Sequence, residues 1–185
     1  MLAMNVSPLF LKSVLSGVLL SSCFVSVANA NTGNVRFLGS VTAQTCDVVV
    51  DIGGTSSATN VVSLGSVAAG ATSTGTSFAL KAINQPDAGC AALAASKDAI
   101  IRWSSASLNS NGFGAVGAVG AADANVLLTS VNSKTVNQAI NTANPTSTFT
   151  QTLVTSDGFK YLAKIKGGTA VGDFYSDASF AIAYK

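Results

Sequence analysis

Histidine and glutamate are both absent from this 185-residue chain. Without histidine the chain lacks the commonest general base near neutral pH and the commonest zinc ligand. Without glutamate its carboxylates are eight aspartates: Asp47, Asp51, Asp87, Asp98, Asp123, Asp157, Asp173 and Asp177. These are scattered, and Asp157, Asp173 and Asp177 stand beside glycine or serine, as turn residues do. No spacing proposes a Ser/Lys or Asp/Asp site, so the chain is not expected to be an enzyme or to hold a cofactor. Charge is scarce as well, at 10% of residues. So bare a surface suits a protein that packs into an assembly better than one that stays alone in solution. No basic patch with interleaved aromatics is present, and that sets nucleic acid aside as a partner.

The first 30 residues read as a signal peptide to be excluded from fold reasoning. Lys12 and the amino terminus supply the positive end, residues 14–27 form an apolar stretch too short to span a bilayer well, and Ala28-Asn29-Ala30 is an A-x-A cleavage site. A competing cut before Cys23, in Leu20-Ser21-Ser22-Cys23, would give a lipid-anchored protein; the apolar stretch continuing through Val27 argues against it. Removal of residues 1–30 leaves 155, enough for one domain, with a net charge of about +1 once Lys12 is gone. Two cysteines then remain, Cys46 and Cys90. In an exported chain they most simply form one disulfide, since two thiols without histidine cannot complete a tetrahedral metal set.

Helical periodicity is scarce, and short alternating runs separated by Gly, Ser, Thr, Asn and Asp are common. The pattern predicts strands over 35–43, 47–52, 61–64, 77–81, 99–104, 126–131, 148–153, 158–166 and 174–184. The clearest is Phe159-Lys-Tyr161-Leu-Ala163-Lys-Ile165-Lys166, with lysines opposite the apolar face. An alanine-rich piece over 89–96 is the one helix candidate. The Gly-, Ala- and Ser-rich stretch 109–122 is expected to be a flexible surface loop. Its Gly112-Phe-Gly114-Ala-Val-Gly117 matches a dinucleotide-binding glycine pattern without the helix that motif requires. Strand spacing with no βαβ rhythm points to an antiparallel sandwich.

The two outermost predicted strands also carry apolar stripes. Near the start, Val35, Phe37, Gly39 and Val41 share a face. At the end, Phe180, Ile182 and Tyr184 share one, and the strand stops where the chain stops. Gly39 is a poor core residue but suits close backbone approach to a neighbour. Ends of this kind are built for pairing with another chain.

At these residues the sequence resembles the pilins of chaperone–usher fimbriae of the type 1/P-like kind, in particular their major shaft subunits. The resemblance is carried by Gly33-Asn-Val-Arg-Phe37-Leu-Gly39-Ser-Val41 running into Cys46, by the place of Cys90, by Gly172 fourteenth from the end, and by Phe180, Ile182 and the penultimate Tyr184. It implies an all-β fold, an incomplete immunoglobulin-like sandwich (the pilin fold) completed by donor strand exchange, with one disulfide. It also implies a division into a signal peptide (1–30), an N-terminal donor-strand extension (31–44) and a pilin domain (45–185). Val35, Phe37, Gly39 and Val41 would be the donor face. Gly172, Phe180, Ile182, Tyr184 and Lys185 would form the edge that meets first a periplasmic chaperone and then the next subunit, with the Lys185 carboxylate held by chaperone cations. Implied partners are identical or related pilin subunits, the chaperone, an outer-membrane usher and, for some subunits, a host glycan. The implied route runs through the periplasm to a cell-surface fimbrium. Two other readings are carried: a minor or tip subunit that binds glycan through Trp103 and the 109–122 loop, and a secreted monomeric β-sandwich module.

Overall fold

Alternation along the chain dictates which side chains face inward, and the computed structural model folds accordingly into two antiparallel sheets. It describes residues 46–57, 60–83, 90, 98–117 and 119–185, all within one compact unit, Phe37–Lys185. Ten strands are found among them: β1 (Val48–Ile52), β2 (Thr55–Ser56), β3 (Thr76–Ala82), β4 (Asp98–Ser104), β5 (Phe113–Gly114), β6 (Asn125–Ser130), β7 (Ala139–Ile140), β8 (Thr146–Thr150), β9 (Phe159–Lys166) and β10 (Ser179–Tyr184). The larger sheet runs β2-β1-β3-β9-β6-β5, with β7 also paired to β6; the smaller runs β10-β4-β8. The fold is thus an all-β, pilin-like sandwich.

Each sheet turns one face inward. On β9, Phe159, Tyr161, Ala163 and Ile165 are buried, while the lysines between them reach outward. On β4 the inward set is Ala99, Ile101 and Trp103. Tyr161 joins the sheets, lying 5.2 Å from Trp103 of β4 and 5.5 Å from Phe149 of β8, with Phe78 of β3 stacked on it at 5.6 Å. Edge-to-face and offset pairs of this sort add about 0.5–1.5 kcal/mol each beyond area burial. The buried Tyr161 hydroxyl is satisfied by Ser147 Oγ at 2.5 Å, so the core closes around a polar group without leaving it orphaned.

Cys46 and Cys90 are joined in a disulfide. It ties the start of β1 to a fully buried residue whose carbonyl also accepts from Gln151 Nε2 at 3.2 Å. Across the β1–β2 hairpin, Gly53 and Gly54 take φ of +64° and +88°, the left-handed pair that a two-residue turn needs.

Several expectations are corrected. Residues 61–64 form no ladder: Val62 and Leu64 pack against the core, but Val61 points to solvent, and the segment is tied to β3 by Thr76 Oγ1 donating to Ser63 O. The strand expected over 148–153 is β8, which gives way at Gln151–Thr155 to a 3₁₀ turn. The strand expected from 174 begins at Ser179. Nor is 109–122 simply a flexible surface loop. Leu108 and Phe113 bridge across a turn capped by Asn109, and Phe113 is buried 6.3 Å from Trp103. The strand predicted over 35–43 lies outside the described residues, as does the helix candidate over 89–96 apart from Cys90.

Candidate assembly edge

Among the described residues β10 is an edge strand, and its geometry makes it the candidate site. It pairs with β4 from Ser179↔Ser104 through Phe180↔Trp103 and Ile182↔Ile101 to Tyr184↔Ala99. One residue further, Lys185 N donates to Asp98 O at 2.8 Å and Asp98 N to Lys185 O at 2.7 Å. That double exchange fixes the phase of the ladder. In an antiparallel pair, residues that exchange both bonds alternate with residues that exchange none. Lys185, Ala183, Ala181 and Ser179 therefore turn their backbone groups inward to β4. Phe180, Ile182 and Tyr184 turn theirs outward.

Among the described residues no strand pairs with that outer side. The same three residues also carry the apolar stripe. Ile182 is 6% exposed, Phe180 and Tyr184 are half-buried against the core, and Ala181 and Ala183 face solvent. Phe180 lies 5.5 Å from the Trp103 ring. The edge thus offers three N–H and three C=O groups next to a partly covered apolar surface. An open edge of this kind templates the addition of another strand.

Tyr184 adds a polar detail. Among the described residues its hydroxyl is buried without a hydrogen-bond partner, and burial pushes its pKa up to about 12. A buried unpaired hydroxyl costs about 1–3 kcal/mol, so a partner strand reaching this point with an acceptor or donor would be rewarded. At the same end, Lys134 Nζ holds Asp98 Oδ1 at 2.6 Å, bracing the residue on which Lys185 is paired. Neither Asp98 nor Lys134 stood out in the sequence; an aspartate opening a strand was the only available signal.

Gly172 does not lie on β10. It sits with φ +136° in the segment leading to the strand, where Gly120 packs against its backbone. A Cβ at either glycine would stand 2.8 Å from the other's Cα, too close for a side chain. From there Asp173 O accepts from Ala121 N at 3.1 Å, Tyr175 O from Val116 N at 2.9 Å, and Ser176 Oγ donates to Gly114 O at 2.8 Å. This lashing delivers the chain to Ser179. Val35, Phe37, Gly39 and Val41 lie outside the described residues, so the described geometry is that of the C-terminal half of the expected site. Trp103 is buried in the core, which leaves it unsuited to serve as an open sugar platform.

Among the described residues no helix is long and apolar enough to cross a membrane. No family model matches the chain. Comparison with curated proteins, however, finds the F107 fimbrial protein of Escherichia coli, 41% identical over 158 residues, covering 85% of this chain and 89% of that protein. The K99 fimbrial protein of Escherichia coli is 32% identical over 186 residues, covering 94% of this chain and 98% of its own length. At that identity and coverage, the chain belongs to the fimbrial proteins.

Proposed function

We propose that this fimbrial protein is the major shaft subunit of an adhesive fimbria of the type 1/P-like kind, polymerised by donor strand exchange. Residues 1–30 would direct export and be removed. A periplasmic chaperone would then cover the outer edge of β10, with its cations on the Lys185 carboxylate, and deliver the subunit to an outer-membrane usher. There residues 31–44 of a neighbouring copy would replace the chaperone strand on the domain formed by 45–185. Placement on the cell-surface fimbrium follows, and no catalytic step is involved.

The observation that carries this reading is the phase of β10. The residues with outward backbone groups, Phe180, Ile182 and Tyr184, are the ones whose side chains line the apolar stripe. A strand added there gains main-chain hydrogen bonds and side-chain burial together. Val35, Phe37 and Val41 would contribute about 1.5–3 kcal/mol each on burial, and Gly39 would let the two backbones approach closely. An uncovered edge would instead expose the subunit to aggregation. The filament's durability would then rest largely on how slowly the inserted strand leaves.

Co-expression with a cognate chaperone tests the proposal. A one-to-one periplasmic complex should form and should be lost when Tyr184 and Lys185 are deleted. Deletion of residues 31–43 should leave that complex intact yet stop polymerisation. A full-length exported chain that stays monomeric, refolds unaided and forms no filaments beside its secretion partners would overturn the reading.

A further inference from the structure

Three exposed apolar spots lie near the ends of the strands that matter for assembly. Val171 is 75% exposed and Tyr175 47% exposed, on the segment that runs into Ser179. Ile83 is 49% exposed and donates its N–H to Asp47 O at 3.0 Å, beside the disulfide-bonded Cys46. Val136 is 61% exposed on the loop that Lys134 ties to Asp98, at the Lys185 end of β10.

The direction of strand addition decides which of these meet. Every strand pair among the described residues is antiparallel, and a further antiparallel strand on β10 keeps the smaller sheet uniform. A donor strand running that way has its residue 35 end near Lys185 and its residue 41 end near Ser179. From Val41 to Asp47 the chain can reach at most about 20 Å. The donor's domain must therefore begin within that reach of the Ser179 end of the acceptor's β10, the end into which the segment carrying Val171 and Tyr175 runs. The face it brings there is its own base, Asp47 with Ile83 beside it.

On the strand-exchange reading, we infer that Val171 and Tyr175 of one subunit pack against the Asp47–Ile83 base of the subunit whose strand it accepts. This is a second contact, outside the exchanged strand. It is heterologous, joining two different patches of identical chains, and a contact of that kind propagates along an open filament rather than closing a dimer. It would fix the angle between neighbours that a lone strand leaves free.

Photo-crosslinking tests this on the full chain expressed with its secretion partners. p-Benzoylphenylalanine replaces Val171 in one culture, Tyr175 in a second and Val136 in a third, and adducts in isolated fimbriae are mapped by mass spectrometry. The probes at 171 and 175 should label a second copy in the peptides around Asp47 and Ile83, and the probe at 136 should not. Fimbriae that form normally but give adducts elsewhere, or equal labelling from 136, would overturn the inference. Parallel deletion of residues 31–43 separates the two claims. If that deletion still assembles, strand exchange itself fails; if it stops assembly while the probes miss the Asp47–Ile83 base, only the second contact fails.

Discussion

Truncation of Ile182 to alanine measures how much the apolar stripe of β10 contributes once a strand covers it. Ile182 faces inward at 6% exposure, opposite Ile101 in the ladder. The substitution removes three carbons, about 2.4 kcal/mol of transfer free energy at about 0.8 per methylene. A cavity under a bound strand raises this toward the 2–5 kcal/mol range of about such truncations. Ala183, one residue along with its side chain in solvent, is the control: Ala183→Ser should change stability by no more than about 0.5 kcal/mol. The assay is urea unfolding of the subunit complemented by a peptide of residues 31–43. With a slope of about 1–3 kcal/mol per molar urea for a domain of this size, the transfer contribution alone should lower the Ile182→Ala midpoint by roughly 0.8–2.4 M. A midpoint no lower than that of Ala183→Ser would refute the reasoning, because it would mean the stripe is not packed.

Other outcomes follow from single contacts. Reduction of the Cys46–Cys90 disulfide, which spans 44 residues, should cost about 4 kcal/mol in the chain-entropy model, read as a drop in the unfolding midpoint under thiol. Ser147→Ala strands the Tyr161 hydroxyl and should cost about 1–3 kcal/mol, whereas adding Tyr161→Phe should recover part of that loss; a simply additive double variant would show the bond is not made. The Asp123 carboxylate accepts from Thr169 Oγ1 and from the Thr169 and Ala170 backbone N–H groups, which lowers its pKa. Its contribution is therefore present above the unfolded-state value and is lost as pH falls through the folded one. Amide exchange at Thr169 and Ala170 should accelerate in acid, and Asp123→Asn should remove that pH dependence. Tyr184, raised by burial to about 12, should ionise in ultraviolet titration only near that pH. Its sign is the reverse: the stability tied to its neutral form is complete below the unfolded value near 10 and lost as pH rises through 12.

Much of the sandwich was legible because alternation is a local signal. The apolar faces of β9 and β4 could be read directly from Phe159 to Ile165 and from Ala99 to Trp103, and the count of exported cysteines pointed to the disulfide. Ladder formation is not local. Residues 61–64 carry strand-like side chains but find no partner strand, so they pack without pairing. The segment before β10 looked like a continuation of the strand; instead Asp173, Tyr175 and Ser176 bond to residues 114–121, and β10 starts later. Composition alone made residues 109–122 look mobile, because the Asn109-capped turn that buries Phe113 depends on β6, distant in sequence. At the assembly edge, the stripe of Phe180, Ile182 and Tyr184 was readable. The phase of the ladder was not, since it is set by Asp98, eighty-odd residues upstream.

Amide hydrogen exchange along β10 probes the account most directly. It compares the chain lacking residues 31–43 with and without the peptide of those residues. Ala181, Ala183 and Lys185 donate to β4 and should exchange slowly in both samples. The amides of Phe180, Ile182 and Tyr184 should exchange quickly without the peptide and slow sharply when it binds. Equal protection of all six amides in the absence of peptide, or no change at the outward three on its addition, would contradict the claim that β10 is an edge awaiting a strand from another molecule.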